Sequence, residues 1–195
     1  MGYKVKIGIS NKHLHLSEEH IAVLFGEGHQ LTPVKDLGQP GQFAADEKVD
    51  LVGPKGTLKG IRVLGPARPE TQVELAMTDT RTIGMNVPVR ESGKLEGTPG
   101  MKLVGPNGEV DLDHGVIVAL RHIHLNPAQA EEAGLKDKDL VDVKTFGTRP
   151  LIFEDVVIRS GEMHEREFHV DTDEANAAGL ANDEEIEIFF FDEST

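Results

Sequence analysis

Short stretches of alternating apolar and polar residues run through this chain, separated every few residues by Gly, Pro, Asn or Asp. Period-two alternation predicts strands with one buried face. It begins almost at once, in Tyr3-Lys-Val-Lys-Ile-Gly-Ile9, and the longest apolar runs, such as Gly115-Val-Ile-Val-Ala-Leu120, are strand-sized. Val52-Gly-Pro-Lys-Gly56 and Val104-Gly-Pro-Asn-Gly108 are near-identical turns between apolar flanks, and both predict hairpins. Val63-Leu-Gly-Pro-Ala67 opens another segment of this kind.

Helical signals are few and follow one grammar. His124-Leu-Asn-Pro-Ala-Gln-Ala-Glu-Glu-Ala-Gly-Leu135 aligns without gaps on His169-Val-Asp-Thr-Asp-Glu-Ala-Asn-Ala-Ala-Gly-Leu180, and His15 to Gly26 is a looser version. A His ends a strand, and Ser17, Asn126 or Asp171 then caps a short helix. Pro127 suits the first helical position, and Gly134 and Gly179 suit the stops. New strands are predicted at Leu140-Val-Asp-Val-Lys144 and Ile186-Glu-Ile-Phe189. Many short strands with three short helices predict a mainly β fold rather than a doubly wound sheet. The repeats suggest an internal duplication: two related small β-barrels capped by short α-helices. The expected seam is near His114, giving halves 1–114 and 115–195, with the first His strand free to pair in either.

Composition narrows the function. Acidic residues outnumber basic ones 34 to 20, giving a net charge of -14. Such a chain offers no broad basic surface to replace phosphate counterions, so nucleic acid is an unsuitable partner. An anionic small molecule would need a local positive site, which a divalent metal provides. There is no cysteine, which excludes disulfides and thiolate metal sites. No run approaches a membrane span. With a strand pattern starting directly after Met1, a cytoplasmic protein is expected.

The chemistry is carried by histidine. His13-Leu-His15 and His122-Ile-His124 each place two imidazoles on one face of a strand, the way a strand offers two ligands to one metal. His169 adds a fifth candidate, although its own H-x-H is broken by Glu167. His20, His29, His114 and His164 read as exposed or solvated positions. Five ligand histidines exceed the needs of one catalytic zinc, so two metals sharing the set with a carboxylate is the economical arrangement, and Glu74 in the strand-like Thr71-Gln-Val-Glu-Leu-Ala76 is the favoured carboxylate. Imidazole and carboxylate without thiolate suit zinc first, with iron and manganese as open alternatives. Arg68, a few residues earlier, could clamp a phosphate or carboxylate in bidentate fashion.

Gly8-Ile-Ser-Asn-Lys-His-Leu-His-Leu-Ser17, Gly65-Pro-Ala-Arg-Pro-Glu70, Arg121-His-Ile-His-Leu125 and His169 to Gly179 together resemble the phosphotransacylases of the propanediol-utilisation type, comprising phosphate propanoyltransferases and related phosphate acetyltransferases. The resemblance covers essentially the whole chain. It implies transfer of a short acyl group between coenzyme A and inorganic phosphate, two Zn2+ per chain in a dinuclear site, and two β-barrels with helical caps. One zinc would be held by His13, His15 and Glu74, and the other by His122, His124 and His169. Arg68 matches the family's phosphate-binding arginine, while Lys35 and Asn176 are similar to positions that contact coenzyme A. Members packaged in microcompartments carry an N-terminal amphipathic extension. None precedes the first strand here, so a freely cytoplasmic form is expected. Acyl-chain preference and a homo-oligomeric state stay open.

Two rival readings remain at this level. His13-x-His15 with Glu19 and Gly26 partly fits a first cupin motif, which predicts one metal and leaves the second H-x-H unexplained. The other rival is a non-catalytic barrel module, whose histidines would tolerate replacement.

Overall fold

A computed structural model describes residues 3–188. In chain order these form β1 (Tyr3–Ser10), β2 (His13–His15), α1 (Glu18–Phe25), β3 (Pro33–Asp36), β4 (Phe43–Val52) and β5 (Thr57–Gly65). Then come β6 (Gln72–Glu74), α2 (Met77–Ile83), β7 (Val89–Arg90), β8 (Lys102–Val104), β9 (Glu109–Asp111) and β10 (Val116–Ala119). The last part holds β11 (His122–Leu125), α3 (Pro127–Ala133), β12 (Leu140–Lys144), β13 (Ile152–Ser160), β14 (Glu167–Asp171), α4 (Thr172–Ala178) and β15 (Glu185–Ile188). The strand expected at Ile186-Glu-Ile-Phe189 is β15, and Phe189 itself lies outside the described residues.

The chain divides into two compact units. The first comprises Asn11–Leu37 and Gly41–Ala119; the second comprises the described residues within Met1–Ser10, Gly38–Pro40 and Leu120–Thr195. Residues 116–119, which the sequence reading put in the second half, belong to the first because β10 runs parallel to both β6 and β7. Conversely β1 belongs to the second unit, parallel to β14 and antiparallel to β15, whereas the His strand β2 stays in the first.

The first unit is a curled sheet in the order β7-β10-β6-β2-β5-β4-β8-β9, with β3 added on β4. Alternation decides which face it buries. Along β4, Ala45, Val49 and Leu51 point inward, and along β5, Ile61 and Val63 do the same. They meet Leu14, Leu16, Leu24, Val73, Ile83 and Leu103 in one core. Both Gly-Pro turns form the expected hairpins, β4–β5 and β8–β9, and each is closed by a backbone bond between its glycines. Both sit in this unit, so they are not the two copies of the duplication.

The second unit is a six-stranded sheet, β12-β13-β11-β14-β1-β15, whose edge strands β12 and β15 approach one another as the sheet curls. Val5, Ile7, Ile123, Leu125, Ile158, Phe168 and Val170 fill its interior. The fold is therefore mainly β with short helices, two curled sheets consistent with two small barrels.

The predicted helices form with the predicted caps. Ser17, Asn126 and Asp171 each accept a bond from the N–H three residues on, and Gly134 and Gly179 end α3 and α4 in the left-handed conformation. A fourth helix, α2, was not foreseen. Its N-cap is Ala76, which has no side-chain acceptor; Asp79 instead reaches back to the Ala76 N–H.

Candidate metal sites

Three of the short strands are buried on both faces: β2 (His-Leu-His), β6 (Gln-Val-Glu) and β11 (His-Ile-His-Leu). Leu14, Val73 and Ile123 point into the cores, so the polar residues between them point the other way and are nonetheless withdrawn from water. His13, His15, His122 and His124 are between 3% and 8% exposed. Buried polar groups need partners, and their partners define two sites.

In the first unit, β2 pairs antiparallel with β6 in a register that sets His13 opposite Glu74 and His15 opposite Gln72. In the second, β11 pairs antiparallel with β14, setting His122 opposite His169 and His124 opposite Glu167. The two arrangements correspond strand for strand. His13, His15 and Glu74 bring donor atoms within 4.8 Å of one another, and so do His122, His124 and His169.

The ring nitrogens are pre-sorted. His13 Nδ1 lies 2.8 Å from the Asn11 carbonyl, His15 Nδ1 3.2 Å from that of Leu64, and His122 Nδ1 2.8 Å from that of Leu120. A carbonyl only accepts, so each Nδ1 carries the proton and each Nε2 is left with its lone pair. The Nε2 atoms of His122 and His124 are 3.0 Å apart, and His13 Nε2 lies 3.6 Å from Glu74 Oε2. His124 Nδ1 is buried without a hydrogen-bond partner among the described residues. Lone pairs aimed at one point inside the protein suit a divalent cation, and an all-nitrogen-and-oxygen donor set of three suits zinc with an open position.

For His15, His122 and His124, electrostatics favours the neutral ring, the form that binds metal. Burial, then the neighbouring His13 and Arg68, hold His15 well below the usual imidazole range. Burial, then His169 and Arg159, do the same to His122; His124 is lowered by burial, then by His122 and His169. Little competition from protons follows at neutral pH.

The other sequence candidates fall as follows. Arg68 is half-buried in the first unit, its backbone N–H bonded to the Leu16 carbonyl 2.9 Å away, and its charge acts on His15. Lys35 is exposed on β3, and Asn176 is exposed on α4 of the second unit. His20 and His29 are half-buried and bonded to Thr71 and Glu47. His114 bridges Glu70 and Asp113 at the surface. The His164 ring sits 4.2 Å from that of His124, with its Nδ1 on the Arg159 carbonyl.

Two residues beside the donors have roles that their sequence positions do not announce. Gln72 bonds Glu74 Oε1 through its amide N–H at 2.5 Å, and Glu167 Oε2 accepts from His169 Nε2 at 2.7 Å. A spacing signal would have exposed the frame that carries them. The last donor on each strand precedes the next helix start by three positions: His15 and Glu18, Glu74 and Met77, His124 and Pro127, His169 and Thr172.

A family model described as phosphate propanoyltransferase matches residues 6–181. A phosphate propanoyltransferase of Thermotoga maritima is 58% identical over 175 residues, covering 89% of this chain and 83% of its own length. One from Enterococcus faecalis is 52% identical over 90% and 83%, and one from Listeria monocytogenes 46% identical over the same shares.

Proposed function

We propose, from the premise that the chain belongs to the phosphate propanoyltransferase family, that it catalyses acyl-CoA plus phosphate to acyl phosphate plus coenzyme A, and the reverse. The observation that carries the reading is the pair of three-donor groups, each on neighbouring strands, with five of the six residues buried and Nδ1 of His13, His15 and His122 each held by a backbone carbonyl. His13, His15 and Glu74 would hold one zinc, and His122, His124 and His169 the other. Bound zinc would supply Lewis acidity toward the carbonyl oxygen and a favourable partner for a departing thiolate.

The remaining work falls to side chains of the chain itself. Arg68 would hold phosphate through paired N–H donors, turning a bimolecular encounter into a positioned one. A phosphate oxygen then attacks the thioester carbonyl; the C–O bond forms, the C–S bond breaks, and coenzyme A leaves as thiolate. Lys35 and Asn176 would contact coenzyme A, Lys35 as a cation for its phosphates. No covalent acyl-enzyme is required, and the cysteine-free chain could form none through sulfur.

The test is release of free thiol from acetyl-CoA and propanoyl-CoA in phosphate buffer, with and without a chelator. Phosphate-dependent release that the chelator abolishes and zinc restores is the expected result. Chelator-insensitive release, or none from zinc-replete protein, would sink the proposal. A zinc content of one per chain would revive the single-metal cupin reading, against which two separate donor groups already count.

A further inference from the structure

In each unit the residue two positions before the third metal donor, on the same strand, is chemically matched to that donor. Glu74 needs hydrogen-bond donors for its spare oxygen, and Gln72 supplies an amide N–H to Oε1 while Ser92 supplies a hydroxyl at 3.1 Å. His169 needs an acceptor for its N–H, and Glu167 supplies a carboxylate at 2.7 Å from Nε2. A carboxylate has no proton to give here, so Nε2 is the protonated nitrogen and Nδ1 keeps the lone pair. His169 is thus sorted in the sense opposite to His13, His15 and His122, each of which ties down Nδ1.

The carboxylate itself is held. Gln39 donates from Nε2 to Glu167 Oε2 at 2.9 Å and to the Glu165 carbonyl at 3.1 Å, and the Glu165 N–H donates back to Gln39 Oε1 at 3.2 Å. Space is kept for it as well. A Cβ on Gly8 would stand 2.7 Å from Glu167 Oε1, and one on Gly38 2.6 Å from both carboxylate oxygens. Two glycines and an amide from segments distant in sequence therefore converge on one glutamate side chain.

We infer that Glu167 is the positioning residue of the second metal group. Its carboxylate accepts the hydrogen bond from His169 Nε2–H, fixes the ring, and leaves Nδ1 as the atom that meets the ion, with Gln39 as its brace. This rests on the metal reading above. Residues in this role orient a ligand and raise its basicity, and their loss costs roughly 10- to 100-fold in metal affinity.

The experiment measures zinc stoichiometry and affinity against a competing chromogenic chelator, together with the visible spectrum of the cobalt-substituted protein. Wild type, Glu167→Gln, Gln39→Ala and His169→Ala are compared. Wild type should bind two ions, and His169→Ala should retain one tightly. Glu167→Gln is nearly isosteric and should bind its second zinc about 10- to 100-fold more weakly, with a shifted cobalt spectrum. Gln39→Ala leaves the carboxylate unbraced and should move both readouts the same way by a smaller factor. Two tight ions with unaltered spectra in both Glu167→Gln and Gln39→Ala overturn this role while leaving the metal reading intact. Wild type that binds no metal overturns both.

Discussion

Two charged residues in the first unit make separable predictions. Arg68 stands half-buried with its charge felt by His15. Replacing it with Ala should remove a charge-assisted bidentate contact, raising the barrier by about 2–4 kcal/mol, or roughly 30- to 1000-fold in kcat/KM. Lys at this position should recover only part, because an ammonium lacks the planar fork. Unchanged kinetics for Arg68→Ala would remove the residue from the mechanism. Glu47 is a different case, since it occupies the core-facing register of β4 between Ala45 and Val49. Burial alone would raise its carboxyl. The Thr32 N–H, the His29 ring and the Thr32 hydroxyl outweigh that and hold it below its ordinary value. A carboxyl lowered in the folded state contributes stability that is present above its unfolded value, about 4.3, and is lost as pH falls through its folded one. Glu47→Gln should therefore cost about 1–3 kcal/mol at pH 7, and the gap to wild type should close between about pH 5 and 3 in urea titrations. A gap that stays constant across that window would mean the carboxylate's charge does not matter.

Elements, more than single residues, decide what could be read from the sequence. The H-x-H pairs were legible because a strand's period of two forces alternate side chains onto one face, whatever the tertiary context. Glu74 was only a favoured guess, and the reason lies in α2. Each donor strand runs into a short helix, and three of these units announce themselves with Ser, Asn or Asp caps, but the unit containing Glu74 is capped at Ala76. One missing cap side chain, at Ala76, hides both the helix and the strand end that carries the glutamate. Register was illegible too: sequence repeats aligned His169 with His124, whereas the antiparallel pairing sets it opposite His122, as Glu74 is set opposite His13. The repeated Gly-Pro turns had a role no local pattern reveals. Lys55 N–H bonds the Ile83 carbonyl at the end of α2, and Asn107 N–H bonds that of Leu24 near the end of α1. These turns satisfy helix-end carbonyls that would otherwise lack partners. Their glycines permit the approach, since a Cβ on Gly53 would lie 2.8 Å from the Ile83 carbonyl oxygen and one on Gly105 2.6 Å from that of Leu24. Gly53→Ala and Gly105→Ala should each destabilise by about 1–3 kcal/mol through forced backbone shifts. A lower urea midpoint at unchanged slope is the expected result, and no shift would show that the turns are not clipped to the helices.

At the scale of the molecule, the donors of each metal group come entirely from one unit, which constrains what metal removal can do. His13, His15 and Glu74 all belong to the first unit, and His122, His124 and His169 to the second. Each group lies on strands that also carry core residues, Leu14 and Val73 in one and Ile123 and Phe168 in the other. An ion bound there cross-links neighbouring strands in the folded state and has no comparable site in the unfolded chain, so binding stabilises by mass action. At free zinc of 100 to 1000 times the dissociation constant, this amounts to about 2.7–4.1 kcal/mol per site. For a chain of this length that is roughly 5–15 °C in Tm. Chelation should lower the melting temperature, and added zinc should restore it. Single replacements sharpen the test: His13→Ala and His122→Ala should each lose one equivalent of zinc and keep the other, and each should show about half of the chelator-induced shift. If either replacement emptied both sites, the two groups could not be the self-contained ligand sets that their strand registers describe. If chelation left Tm unchanged in zinc-loaded protein, the buried imidazoles would have to be satisfied by something other than a metal.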